Sequence, residues 1–509
     1  MKNLSLSQRT RKVVEWTERG VVASQHRRAS EAGAEVLRAG GNAFDAAIAT
    51  SFAIGVVEPW MSGPMGGGMM VLWPAEGTPE TIEFGMRSPK DLDPADYPLI
   101  PGATNPDLFP WTRVEGDRNA YGGSAVAVPG TVAGMAMAHQ RHGTLPWADL
   151  LAPGIALARE GLEVDWYAAL IIASATRQLA QDTDAAAMFL IDGQWPNIGG
   201  WTSARDVHLD QSAMAATLTR LAEAGAGDFY SGDIAHALAD DVQAKGGRLS
   251  VADLAAYRAR VAPTRQFAHN GGVVHAASGL SAGAELGAAL AAVKGGVGPD
   301  SLAALAAALG DAYRARLESS GDVAPTCTTS FSVVDAAGNM VTVTQTLLSI
   351  FGAHVVSPNT GMLLNNGIMW FDPEQGRPNS LGPDKACLMN VCPMVGEVGD
   401  RRFALGAAGG RKILPSVACL THYIMDGGMS LEEAFHHPRL DNTGAGMITA
   451  DDSFAPDVLN ALAQVGAVKT ARRGVFPYAF AVPAGVMRQG GRNCGCTEIM
   501  TPWGDVAFG

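Results

Sequence analysis

Residues 328–344 constrain this chain more than any other stretch. Phe331, Val333, Val341 and Val343 alternate with Ser332, Thr342 and Thr344, and Asp335-Ala336-Ala337-Gly338-Asn339 interrupts the alternation. A period of two on either side of a turn-rich insertion predicts two strands joined by a turn. The first strand opens with Cys327-Thr328-Thr329-Ser330, after a polar, turn-prone segment, Glu318-Ser319-Ser320-Gly321-Asp322. A threonine placed at the start of a buried strand has one special chemical option. Cutting the Cys327–Thr328 bond would give Thr328 a hydroxyl and a free α-amine on the same residue. An α-amine titrates at about 7.7–8.0 in small peptides, so near neutral pH it can take the proton of its own hydroxyl and activate it as a nucleophile. Taken alone, Thr-Thr-Ser before a strand is more often ordinary turn and strand chemistry.

The rest of the chain sets the setting for that strand. With 509 residues, 47% of them hydrophobic, it can bury a large core as one big domain or two intimate ones. The net charge of −13, with no compensating basic stretch, argues against nucleic acid or an anionic membrane as a partner. Met1 to Gly20 is polar and charged and lacks the apolar core of a secretory signal. No run of about 18 apolar residues is present to cross a bilayer. The expectation is a soluble, cytoplasmic protein. Six cysteines, at 327, 387, 392, 419, 494 and 496, fit no zinc spacing. Cys494-Gly-Cys496 reads better as small buried or loop residues than as a redox pair, and neither a metal nor a cofactor is expected.

Along the chain, Val21-Val22-Ala23 is a short apolar run followed by a helix that Gly40-Gly41 ends. Asn42 caps a second, small-residue helix that stops before Pro59. The glycine run Gly63-Pro-Met-Gly66-Gly67-Gly68 leads from that helix into a strand. Phosphate-cradling loops lead from a strand into a helix, so close backbone packing is the better reading. Residues 74–123 are rich in proline and loops, 124–260 are mostly helical, and 280–317 form an alanine-rich helical pair. After residue 328 the chain is rich in Val, Thr and Gly, and only Leu431 to His437 reads clearly as helix. The boundary falls at Cys327–Thr328, between a helical first part and a sheet-rich second part.

Together these markers resemble the γ-glutamyltranspeptidase family of N-terminal-nucleophile hydrolases, over nearly the whole chain. The matching pieces come in family order: Gly40-Gly-Asn42-Ala-Phe-Asp45-Ala-Ala47, Gly66-Gly-Gly68, Pro129-Gly-Thr131-Val-Ala-Gly134, Gly143-Thr-Leu-Pro146, Phe229-Tyr230-Ser-Gly232 and Asp253-Leu-Ala-Ala-Tyr257. Thr328-Thr-Ser-Phe-Ser332-Val-Val-Asp335, Gly361-Met-Leu-Leu-Asn365-Asn366 and Gly406-Ala-Ala-Gly409-Gly410 follow. The resemblance implies an α+β fold, a four-layer αββα sandwich, made as an inactive precursor that cuts itself between Cys327 and Thr328. Residues 1–327 would become a large subunit and 328–509 a small one, and the family allows a dimer of these. Thr328 would be the nucleophile, with the Thr346 hydroxyl supporting it and the Gly409 and Gly410 backbone N–H groups forming the oxyanion hole. Glycines suit that role because they let backbone donors approach a developing charge closely.

The departures from the family decide the expected substrate. True transpeptidases clamp the glutamyl α-carboxylate with an arginine and its α-ammonium with an aspartate. Here Gly85 stands at the clamp position, with Arg87 two residues on, the same face of a strand but about 6–7 Å along. Trp370 stands where the aspartate belongs, Gly367 replaces a glutamine, Leu348 an asparagine, and Met389-Asn390 a pair of serines. The resemblance therefore places Arg87, Leu348, Asn366, Trp370, Met389 and Asn390 around the substrate. A glutamyl ammonium desolvated there without a fixed anion would cost several kcal/mol, of which a cation–π contact with Trp370 returns about 0.5–2 kcal/mol. The expected activity is an amidohydrolase or acyltransferase for a small-molecule amide whose acyl group lacks a free α-amine. Oxamate amidohydrolases and cephalosporin or glutaryl acylases are related branches. Two alternatives stand beside it: a γ-glutamyl transferase with a head-group site rebuilt around Arg87, and an uncleaved, inactive homologue. The segment before Thr328 is short for the family, which puts self-cleavage in question. His354 reads either as a pocket wall or as a structural histidine.

Overall fold

The computed structural model describes residues 10–104, 111–200, 202–320, 327–444 and 446–509. The segment just before Cys327, where the shortened arm falls, lies mostly outside the described residues.

The alternating stretch forms two antiparallel strands, Cys327–Val334 and Met340–Leu348, at the centre of a seven-stranded sheet. Val21–Ser24 pairs on one side of this hairpin and Gly67–Trp73 on the other, both antiparallel. Phe331, Val333, Val341 and Val343 face the helices Arg27–Arg38 and Ala43–Val57 and share one core with them. The hydroxyl-bearing residues point the other way, toward a second sheet. Ser332 Oγ donates to Thr342 Oγ1 (3.1 Å) and reaches Ala484 O (3.3 Å) on a strand of that sheet. Both faces are thus buried, and small hydroxyls bonded to one another or to backbone fill the space between sheets.

The second sheet is six-stranded and antiparallel, with Arg401–Ala408 between Val482–Gln489 and Met394–Val398. Helices Gly283–Ala291, Pro299–Ser320 and Ile413–Met425 cover its outer side. The layers run helix, sheet, sheet, helix. Each sheet draws strands from both sides of the Cys327–Thr328 bond, so the two parts of the chain interleave. The change of composition at 328 is not a boundary between separately packed units.

Local chemistry explains the elements that carry the site. Asn42 Oδ1 accepts from Phe44 N and Asp45 N, while Asp45 Oδ2 accepts from Asn42 N, a reciprocal cap that starts helix Ala43–Val57. All fifteen of its residues are buried. Pro59 disfavours helical backbone at Glu58, which ends the helix with φ −135° and ψ 55°. The glycine run packs as expected: a Cβ on Gly66 would lie 2.5 Å from Thr346 O, and one on Gly68 would lie 2.2 Å from Thr344 O.

Sequence reading misses two helices after residue 328, Ile413–Met425 and Pro456–Val465. Every residue of the first is buried, Ser416, Thr421 and His422 included, so no polar face marks the helical period. It also misses a buried cluster. Asp426 Oδ2 accepts from His269 Nε2 (2.5 Å) and His422 Nδ1 (2.9 Å). Burial raises the Asp426 pKa, but these two bonds outweigh it and hold the carboxyl at about 2. The cluster ties the edge strand Arg265–His269 to the end of helix Ile413–Met425.

Candidate active site

The hairpin register breaks at the residue of interest. Cys327 pairs with Leu348 and Thr329 with Gln345, so Thr328 alone faces both Thr346 and Leu347. This β-bulge puts its extra residue on strand Met340–Leu348, opposite the scissile bond. Thr346 Oγ1 donates to the carbonyl oxygen of Cys327 and accepts from Leu348 N (2.8 Å). Just beyond, Leu348, Phe351 and His354 have φ of +90°, +62° and +58°. They are three of the seven non-glycine residues with positive φ among those described. Such backbone is costly for residues with side chains, and here it is gathered into one loop beside Thr328.

Thr328 is 2% exposed and opens onto a cavity of about 230 Å³. Cys327, Gly409, Glu58 and Lys412 share its walls, with Tyr167 and Tyr478. Gly409 follows the end of strand Arg401–Ala408 with φ +131°, and a Cβ there would lie 3.1 Å from Ala481 Cα. Conformation and space both require glycine. Gly410, with φ +60°, begins the turn Gly410–Lys412. Lys412 Nζ donates to Tyr478 O (2.9 Å), and burial lowers its pKa. Among the described residues no carboxylate lies within ion-pair distance of it.

Glu58 is the residue that sequence reading overlooks. It is 4% exposed, and Thr329 Oγ1 lies 2.8 Å from its Oε2 and 3.1 Å from Gln25 Oε1. Burial pushes the Glu58 carboxyl up to about 8, with the Thr329 hydrogen bond opposing. At neutral pH it keeps its proton and can donate to Thr329, whose single hydroxyl proton then goes to Gln25. The available signal was a lone acid between the apolar run of residues 52–57 and Pro59.

A second cavity, of about 210 Å³, adjoins the first. Cys327 and Ile350 line both. Asn366 belongs to the second, where its Oδ1 accepts from Ser349 N (3.1 Å) and its Nδ2 donates to Ser349 Oγ (2.9 Å) and Ala120 O (3.1 Å). His354 lines it too, and burial pushes its pKa down to about 4.

The remaining expected substrate contacts lie elsewhere. Leu348, Trp370 and Met389 are each at most 1% exposed and pack with Met86 and Ile368 in one apolar cluster. A Cβ on Gly85 would lie 2.8 Å from Met389 Cε, so methionine occupies the space that a clamp arginine would need. Asn390 is buried at 2% exposure, next to Met389, whose carbonyl accepts from Arg316 Nη2 (2.8 Å). Arg87 is held by backbone bridges to Val128 and Ala386, and its guanidinium pairs with Asp384 (3.0 Å). The structure therefore gathers Cys327, Thr328, Thr346 and Gly409, with Asn366 in the adjoining space. It does not bring Arg87, Leu348, Trp370, Met389 or Asn390 to the walls of either cavity.

Comparison with known proteins follows the same lines. The family model described as Gamma-glutamyltranspeptidase matches two overlapping segments, residues 29–325 and 311–476. The acylase ACY 1 proenzyme of Pseudomonas sp. (strain V22) is 33% identical over 492 residues, covering 87% of this chain and 86% of that protein. The glutathione hydrolase proenzyme of Escherichia coli (strain K12) is 28% identical over 516 residues, covering 88% and 85%. Among solved structures, cephalosporin acylase from Bacillus halodurans superposes with a TM-score of 0.83 at 24% identity, over 98% of this chain and 97% of that one. The chain belongs to the γ-glutamyltranspeptidase family, and its two helix-covered sheets are the α+β sandwich of the N-terminal-nucleophile hydrolases.

Proposed function

We propose that the chain is a precursor that cuts itself between Cys327 and Thr328, leaving residues 1–327 and 328–509 folded together. The freed Thr328 then hydrolyses amides whose acyl group carries no free α-amine. One observation carries the substrate reading: Met389, Trp370 and Leu348 fill the region where the family reads the glutamyl head group, while an open cavity remains beside Thr328 and Gly409. The proenzyme relatives support the processing step, and the acylases among them support the substrate class.

In processing, Thr328 Oγ attacks the Cys327 carbonyl carbon and the charge that develops on its oxygen meets the Thr346 hydroxyl. The C–N bond then breaks, the nitrogen takes a proton, and water hydrolyses the resulting ester. In turnover the new α-amine takes the hydroxyl proton, Oγ attacks the substrate amide, and backbone N–H groups at Gly409 and Gly410 stabilise the oxyanion. The acyl half enters the first cavity, against Met61, Ile171 and Val482. An acyl chain ending in a carboxylate meets Lys412 there, rather than Arg87.

Intact mass spectrometry and two anilides test this reading. Two fragments, the second starting at Thr328, are expected, with glutaryl anilide turned over at least tenfold faster than γ-glutamyl anilide. A single uncut chain overturns the mechanism. Preference for γ-glutamyl anilide instead favours the transferase reading.

A further prediction concerns Glu58. Its pKa is raised from 4.5 to about 8 in the folded chain, so folding holds the proton more tightly than the unfolded state does. The associated stability is complete below pH 4.5 and is lost as pH rises through about 8, on the order of 5 kcal/mol in all. Thermal melts from pH 5 to 8.5 should therefore show Thr328→Ala/Glu58→Gln gaining on Thr328→Ala as pH rises. Parallel curves would count against a proton held on Glu58.

A further inference from the structure

The two cavities meet at the bond that processing cuts. Among the described residues, only Cys327 and Ile350 line both of them. A substrate carbonyl must approach Thr328 and Gly409 together, and these two residues wall the first cavity alone. With the acyl half placed in the first cavity, as proposed above, the carbonyl lies at its Thr328 end. The half on the far side of the carbonyl needs another space, and the adjoining one lies behind Cys327.

Resting on the reading of Thr328 given above, we propose that the second cavity is the subsite for the amine half of the substrate. Cys327 closes it toward Thr328 in the precursor, and cleavage opens it. The amine half it takes is uncharged and rich in hydrogen-bonding groups.

The walls argue for that chemistry. Ser349, Asn366, Gln178, Ser174, Tyr121 and His354 supply polar groups, and among the described residues no Asp, Glu, Lys or Arg lines it. His354 adds no charge near neutral pH, because burial pushes its pKa down to about 4. The first cavity, by contrast, holds Lys412 and Glu58. A charged amine half in the second cavity would lose its hydration without gaining a counter-ion. The wall is also built rather than loose. Asn366 fixes Ser349 by two of its hydrogen bonds, and Ser349 lies on the loop that holds the three residues of positive φ.

The chemistry balances across the two spaces. The substrate C–N bond breaks as the acyl group passes to Thr328 Oγ. The departing nitrogen takes the proton that the α-amine drew from the hydroxyl, so a neutral amine is released into the second cavity.

The test uses the full-length protein and amides that share one acyl half. One releases ammonia, one releases 4-aminobenzamide, which is neutral, and one releases 4-aminobenzoate, which is anionic. The wild type should favour the 4-aminobenzamide substrate over the 4-aminobenzoate one at least fivefold in kcat/KM. Ser174 and Gln178 both lie on helix Trp166–Leu179, Ser174 exposed and Gln178 half-buried. Ser174→Trp plugs the space, and Gln178→Leu removes a polar wall with little change of volume. In each, the ratio of kcat/KM for the 4-aminobenzamide substrate to that for the primary amide should fall at least tenfold. An unchanged ratio in variants that still yield two fragments and still release ammonia overturns the subsite alone. An uncut wild-type chain overturns the subsite and the reading of Thr328 together.

Discussion

Thr328→Ala is expected to give one uncut chain of 52.8 kDa and no amide turnover, whereas Thr328→Ser still gives two fragments. Alanine removes the only group proposed to attack, both in processing and in catalysis. Loss of a nucleophile of this kind costs about 10⁴-fold or more in rate. Serine keeps the hydroxyl and, once cut, the α-amine, so it should process and turn over more slowly than threonine but measurably. The fold should tolerate either change. Thr328 sits opposite a bulge, and the sheet around it is held by the register from Thr329 to Val334. A melting temperature close to that of the precursor would separate lost chemistry from lost structure. Cleavage at the same bond in Thr328→Ala would sink the assignment and direct attention to neighbours. Thr329 is the poorer candidate of those, because its hydroxyl is taken up by Glu58 and Gln25.

Some of this site was legible in the sequence because its signals are local. The period of two around Asp335–Asn339 gives the hairpin, Asn42 gives the helix start, and the ordered motifs give the sandwich. The polar head-group residues could be seen to be missing from residue types alone. That their space is filled could not, because Met389 reaches Gly85 from a segment far along the chain. Arg87 looked available from strand spacing, yet the backbone bridges to Val128 and Ala386 turn it to Asp384. Glu58 was hidden for the opposite reason. It is an ordinary acid in the sequence, and its burial in the folded chain removes its water and raises its pKa against the opposing Thr329 hydrogen bond. Helix Ile413–Met425 escaped because a helix buried on every side has no polar face to mark its period.

Thr346→Val should slow self-cleavage by about 10²–10³-fold, the usual loss when one oxyanion donor is removed. The substitution keeps the branched shape and deletes the hydroxyl that meets the Cys327 carbonyl oxygen. It also leaves Leu348 N without its acceptor at 2.8 Å, a buried loss of roughly 1–3 kcal/mol. Stability and chemistry must therefore be read separately. A time course of the 328–509 fragment gives the cleavage rate, and a melt of the uncut fraction gives the stability. Thr346→Ser should restore much of the rate, because it returns a hydroxyl at the same branch point. Two oxyanion positions follow from this geometry: the precursor carbonyl faces Thr346, while the substrate carbonyl is assigned to Gly409 and Gly410. If that separation holds, the fraction of Thr346→Val that does mature should hydrolyse amides far better than its cleavage rate suggests. Full-speed cleavage in Thr346→Val would mean that the precursor carbonyl turns to Gly409 before attack, and that one oxyanion site serves both reactions.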